Sequence, residues 1–196
     1  ILMPNHYDNS FSTDKASLRY YSYFELFLSK LKIFKYFNKI SAGKAVIISK
    51  NVEIKITDNG KLKLGDHTVI AKDVSIILTK PKPLIDISEN VLIGNGSLIL
   101  GKKKIVIGKN TRIGAYTTIR DHMHKNVSSK NTVLKSKSTI KEVLIGKNVW
   151  IGNYCTIFPG VKIGNNSTIS TYSLVMNNIP PNTLVAGQPA RFIKKI

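Results

Sequence analysis

The chain is 196 residues long, 42% hydrophobic, and carries a formal net charge of +19. The apolar share supports one packed domain with an N-terminal appendage, the lone cysteine, Cys155, excludes an internal disulfide framework, and Lys30, Lys32, Lys35 and Lys39 break the apolar N-terminal stretch, which excludes a long uncharged run there. With no recognisable secretory leader a cytoplasmic protein is expected; unless it is only a solvated lysine surface, the charge asks for an acidic polysaccharide or a membrane surface as partner, and no nucleic acid, since no such motif is present and the aromatics are not interleaved with lysines in the repeats.

Residues 1–13 read as an irregular arm. From 14 to about 40, Leu18, Tyr21, Phe24, Phe27, Leu28, Leu31, Phe34 and Phe37 fall near helical spacing. Asp14 is placed to cap this helix and Gly43 to stop it. Residues 1–43 are thus predicted as arm and helix. The helix either covers the open end of the domain that follows or binds a membrane surface or a partner.

Residues 44–180 carry a different period. Aliphatic residues recur every sixth position at Ile107, Ile113 and Ile119, and again at Ile145, Ile151, Ile157, Ile163, Ile169 and Val175. Four places after an aliphatic stands a small or β-branched residue: Thr111, Thr117, Val149, Cys155, Val161, Ser167, Ser173. Earlier, from Val46, the hexads are looser, at Ile48, Ile54, Leu64, Ile70, Ile76, Ile87, Ile93 and Ile99. Asp58-Asn59-Gly60 and Lys80-Pro81-Lys82-Pro83 break the run. A six-residue period is neither helical nor simple strand alternation. It describes a chain that turns a corner after each short flat strand, three hexads closing a triangular coil whose neighbours satisfy each other's backbone groups. The first aliphatic points inward, as does the small residue; a buried small hydrophobe is therefore the expected role of Cys155. Residues 121–142 cannot continue the hexads and are predicted as a projecting loop, the kind of excursion that usually carries function. After Pro180-Pro181 a tail, 181–196, follows.

The stretch VLIGKNVWIGNYCTIFPGVKIGNNSTIS, beginning at Val143, together with the Ile-Pro-Pro corner and the GQPARFIKKI ending, closely resembles the C-terminal half of hexapeptide-repeat acyltransferases. The likeness is more degenerate over about 46–120 and absent from the first 40 residues. It implies an all-β, left-handed parallel β-helix with an N-terminal α-helical cap, use of acetyl-CoA, and a homotrimer with active sites between subunits.

Acetyl transfer needs a base for the acceptor, a donor for the oxyanion and a means of holding both substrates together. Histidine suits the base. His122 and His124 stand in Arg120-Asp121-His122-Met123-His124, where the coil gives way to the loop. The resemblance aligns His124 with the catalytic base and leaves His122 as the alternative, with Asp121 or Glu142 to orient the ring. His122 and Met123 replace the commoner Gly or acidic residue of the family's Asp-x-x-His pattern. A zinc pair at His122 and His124 is the competing reading, but His6 and His67 supply no third ligand by pattern, and no metal is expected. Trp150 occupies an outward position and is read as both a subunit contact and a wall of the cleft. The resemblance implies cofactor contacts at Gly152, Asn153 and Thr171, an oxyanion donor at the amide of Gly152 or a neighbour, and phosphate contacts from Arg191 and Lys194. Asn177 replaces a frequent lysine, and Tyr172 stands where the family usually has a small residue.

The projecting loop carries Lys125, Lys130, Lys135, Lys137 and Lys141, a basic lid suited to an anionic carbohydrate acceptor. The reading is an acetyl-CoA-dependent O-acetyltransferase acting on a bacterial surface-polysaccharide sugar, sialic acid among the candidates. The rivals are an N-acetyltransferase on an amino sugar or antibiotic, and a non-catalytic basic β-helix that binds an anionic polymer or membrane.

Overall fold

A computed structural model describes residues 23–36, 38–124 and 138–196. One helix, α1 (Tyr23–Phe34), precedes a solenoid with three parallel faces. The first face stacks β1 (Ile40–Ala42), β4 (Lys61–Leu64), β7 (Leu84–Ile87), β10 (Lys104–Ile107), β15 (Val143–Ile145) and β18 (Lys162–Ile163). The second stacks β2 (Ile47–Ile48), β5 (Val69–Ile70), β8 (Leu92–Ile93), β11 (Arg112–Ile113), β16 (Trp150–Ile151), β19 (Thr168–Ile169) and β21 (Thr183–Ala186). The third stacks β3 (Glu53–Ile56), β6 (Ser75–Leu78), β9 (Leu98–Gly101), β12 (Thr118–Arg120), β17 (Thr156–Ile157) and β20 (Leu174–Val175). Antiparallel additions are the pair β13 (His122–His124) with β14 (Ser138–Ile140), and β22 (Arg191–Lys195) against β21.

The hexads behave as the period requires. Every repeated aliphatic from Ile107 to Val175 is buried, and so is each small residue named above. Full burial of an isoleucine side chain contributes about 1.5–3 kcal/mol, so a column of them on each face supplies the core. The small inward residues also stitch neighbouring coils. Thr117 Oγ1 donates to Gly152 O at 3.0 Å and accepts from the Cys155 N–H at 3.1 Å. Cys155 is itself buried, and burial pushes its thiol pKa up, as befits a packing residue.

Corners repeat a second device. A side-chain oxygen accepts an N–H from the preceding coil: Asp66 from Lys44, Asn153 from Ala115, Asn165 from Lys147 and Asn178 from Lys162, each at 2.8 Å. The glycine before each of the first three of these donors, Gly43, Gly114 and Gly146, belongs to the same close approach. At Gly114, for example, an added Cβ would lie 2.5 Å from the carbonyl carbon of Gly152.

Four expectations change. The helix ends at Phe34, because Ile40 is drawn into the first coil as a buried residue paired with Leu62 and the chain must turn before it. The proposed start at Asp14 lies outside the described residues. Gly43 does not stop the helix; it is a corner after β1, donating its N–H to Leu64 O at 2.8 Å. The solenoid therefore begins at Ile40 rather than near Val46. The tail is part of the fold: β21 extends the second face and β22 doubles back on it.

The inner face of α1 covers the first coil. Outer-edge groups of that coil have no preceding strand, and side chains take them. Ser29 Oγ accepts from Ile48 N–H at 2.9 Å, and Lys32 Nζ donates to Ser49 O at 2.7 Å. Tyr36 Oη donates to Ile54 O at 2.8 Å and Lys39 Nζ to Ile56 O at 3.2 Å. The lysines that break the apolar stretch are, in these two cases, its edge caps.

Candidate active site

The excursion leaves the solenoid between the third and first faces, after β12, and returns before β15. Its base is the β13–β14 ribbon, with His122 opposite Ile140 and His124 opposite Ser138. The ends are tied, since Lys141 N–H donates to Asp121 O at 2.8 Å. Lys125, Lys130, Lys135 and Lys137 lie outside the described residues; Lys141 is exposed beside this tie.

Asp121 is wholly buried at the foot of the ribbon. Its carboxylate accepts from the Lys102 N–H at 2.8 and 3.0 Å and from the Lys103 N–H at 2.6 Å. These amides belong to the corner of the preceding coil, which exposes them to an acceptor from above. The remaining partner of Asp121 Oδ1 is His122 Nδ1, at 3.0 Å. A carboxylate can only accept, so Nδ1 is the donor of this pair, and in the neutral form of the ring Nε2 is the nitrogen that can take a proton. Glu142, the other candidate for orienting a histidine, is instead paired with Lys103 at 3.1 Å, which holds its pKa below the usual carboxylate value. His124 shares a ribbon face with His122 but is exposed. Arg120, immediately before the dyad, has its Nε buried with no hydrogen-bond partner among the described residues.

The other expected site residues gather elsewhere. Trp150 opens β16 on the second face, half-exposed and in register with Arg112 and Thr168. Gly152, Asn153 and Thr171 share the corner between the second and third faces. Arg191 and Lys194 are exposed on β22, at the end of the second face. In a three-sided prism the edge that carries His122 is opposite the second face, so one chain does not bring the histidines to Trp150.

The Gly152 amide cannot serve as oxyanion donor. Its N–H is committed to Ile169 O at 2.8 Å in the coil ladder. Asn153 Oδ1 is likewise used by the corner and its carbonyl accepts the Tyr172 N–H at 2.9 Å, leaving its main-chain N–H and Nδ2 for any ligand.

One feature escaped the sequence reading. Tyr116, Tyr154 and Tyr172 form a column at the corner between the second and third faces, with ring centroids 5.1 and 4.9 Å apart and planes within 11° and 5° of parallel. Each has a left-handed backbone, with φ of 55, 55 and 60°. Their common position, three places after Ile113, Ile151 and Ile169, was the available signal.

Residues 142–177 match the bacterial transferase hexapeptide family model, described as six repeats. WbbJ of Escherichia coli K12, provisionally assigned as a lipopolysaccharide-biosynthesis O-acetyl transferase, is 34% identical over 148 residues, 71% of this chain and 74% of its own length. The chain belongs to the hexapeptide-repeat transferase family. Its relatives place it among the family's acetyltransferases. The galactoside O-acetyltransferase of the same organism is 36% identical over 74% of this chain, which spans half of that relative. Among solved structures, AntD, an N-acyltransferase from Bacillus cereus in complex with dTDP and 3-hydroxybutyryl-CoA, shares the fold. It has a TM-score of 0.71 at 20% identity, covering 84% of this chain and 87% of that one. The hexapeptide-repeat acetyltransferase VCA0836 of Vibrio cholerae, complexed with acetyl coenzyme A, has a TM-score of 0.58 at 23% identity, covering 86% and 77%. Among the described residues no group of three or more His, Cys, Asp and Glu side chains could hold a metal, and no helix is long and apolar enough to cross a membrane.

Proposed function

We propose that this protein is a cytoplasmic O-acetyltransferase that moves the acetyl group of acetyl-CoA to a hydroxyl of a bacterial surface-polysaccharide sugar. The Asp121–His122 pair carries this reading. Asp121 fixes the ring and its tautomer, and His122 Nε2 takes the proton of the acceptor hydroxyl as the hydroxyl oxygen attacks the thioester carbonyl. The acceptor attacks directly; Cys155 is buried and protonated and does not supply a nucleophile. The developing imidazolium is stabilised by a buried carboxylate whose position is fixed by two backbone amides. His124, first in the sequence alignment, becomes a neighbouring contact for the acceptor.

The active unit is a homotrimer. The opposition of His122 to the second face supports a site in which one subunit gives the base, and the next gives Trp150, Asn153, Thr171, Arg191 and Lys194. Arg191 and Lys194 supply cationic donors suited to the nucleotide phosphates, and the main-chain N–H of Asn153 or Thr171 takes over the oxyanion role. Tyr172, beside Thr171, narrows the groove for the pantetheine arm. Arg120 beside the base, Lys141 at the ribbon's end and the net charge of +19 favour an anionic glycan, sialic acid included.

Calorimetry with acetyl-CoA, with free CoA as comparison, tests the donor. Micromolar binding weakened at least tenfold by Arg191→Ala is the expected result. No binding by well-folded protein overturns the enzyme reading. Mass and NMR analysis of products from acidic and neutral glycans then tests the acceptor; nitrogen-linked acetyl as the main product overturns O-acetylation.

A further inference from the structure

The two faces of α1 meet different surroundings. Ser29 is fully buried against Ile48, Ile33 and Tyr36 pack on the core, and Lys32 is held at the coil edge. That face is the cap. A helix serving only as a cap turns polar residues outward.

The outward face here is apolar. Phe27, Leu31 and Phe34 follow at spacings of four and three, which places them in one stripe. They are 57%, 52% and 73% exposed, and Leu28 beside them is 36% exposed. Lys30 and Lys35, both exposed, flank the stripe, one on each side, at roughly 60–80° around the helix from its centre. Glu25, the helix's only acid, lies away from the stripe.

An apolar stripe flanked by one lysine on each side fits a surface that is hydrocarbon beneath and anionic at its boundary. Lysine stems can lie along the apolar layer while their ammonium groups reach the phosphates. A second copy of this chain is a poor occupant, because it would set Lys30 and Lys35 against like charges on a molecule already at +19. We propose that the outer face of α1 docks the protein on an anionic phospholipid bilayer surface, with the inner face fixing the solenoid to the docked helix. Binding by one short helix is weak and reversible, and it strengthens with each copy presented by an oligomer.

Sedimentation of the full chain with vesicles tests this. Vesicles containing about one third phosphatidylglycerol should carry at least about tenfold more protein than pure phosphatidylcholine vesicles, and about 0.5 M salt should remove most of that excess. The Phe27→Ser/Leu31→Ser variant should lose at least about tenfold in binding with its thermal melt retained. If that variant fails to fold, Lys30→Glu/Lys35→Glu, which leaves the cap's hydrogen bonds from Ser29, Lys32, Tyr36 and Lys39 in place, decides by the same loss on anionic vesicles. Absence of wild-type binding to anionic vesicles overturns the proposal. So does wild-type-like binding by the deciding variant, or a smaller oligomer on changing the stripe, which would make a second copy its occupant.

Discussion

Asp121 and His122 are neighbours in sequence whose side chains meet at 3.0 Å, although the first is wholly buried and the second faces outward. The contact exists because Asp121 turns in to take the Lys102 and Lys103 amides, leaving one oxygen within reach of the imidazole. His122→Ala should lower kcat by about 10²–10⁴-fold with the KM for acetyl-CoA nearly unchanged. His124→Ala should cost less than about tenfold, and Asp121→Asn an intermediate loss. Steady-state kinetics check the ranking. A deeper loss for His124→Ala would return the base to that residue.

Opposition of the base to the second face makes a mixing experiment decisive. His122→Ala and Arg191→Ala chains are each expected to be nearly inactive. Refolded together at equal ratio into random trimers, they should regain about one quarter of wild-type activity, because one site in four draws both intact residues from different chains. A site complete within one chain would regain none.

The tyrosine column separates stacking from backbone strain. Tyr154 stacks on both neighbours while holding φ at 55°. Tyr154→Ala loses both ring contacts, at about 0.5–1.5 kcal/mol each, and keeps the left-handed backbone. Tyr154→Gly loses the same contacts and relieves the backbone, so it should be the more stable of the two by about 1 kcal/mol in urea unfolding. The reverse order would mean that the corner is not strained.

Burial raises the pKa of Cys155, so its thiolate fraction at any pH below that value is smaller than in the unfolded chain. Alkylation at pH 8 should be at least about 100-fold slower in the folded protein than in denaturant, since the reagent also lacks access. Fast labelling of folded protein would place this side chain outside the core.

Much of the solenoid was legible because its inward positions are filled by one narrow class of side chain at fixed intervals. Ile145 through Val175 needed no tertiary information. The ends were less legible. Ile40 continues an apolar, helix-like run, and only its pairing with Leu62 takes it into the first coil. At the site, two histidines could be marked from their place at the end of the hexads, but the Asp121–His122 contact on which the proposed choice of base rests depends on amides from Lys102 and Lys103 that draw Asp121 inward. The competition for Glu142 was equally invisible, since Lys103 reaches it across a coil. The tyrosines were missed because the excursion separates Tyr116 from Tyr154 and hides their shared corner.

The tie between Lys141 and Asp121 has an evolutionary consequence. Across the excursion, Ile105 and Ile107 pair with Val143 and Ile145 as if no residues intervened. The segment between Asp121 and Lys141 can therefore be lengthened, shortened or exchanged without shifting the register of any later coil. On the proposed function, new acceptor preferences would arise there without altering the coils proposed to hold the donor.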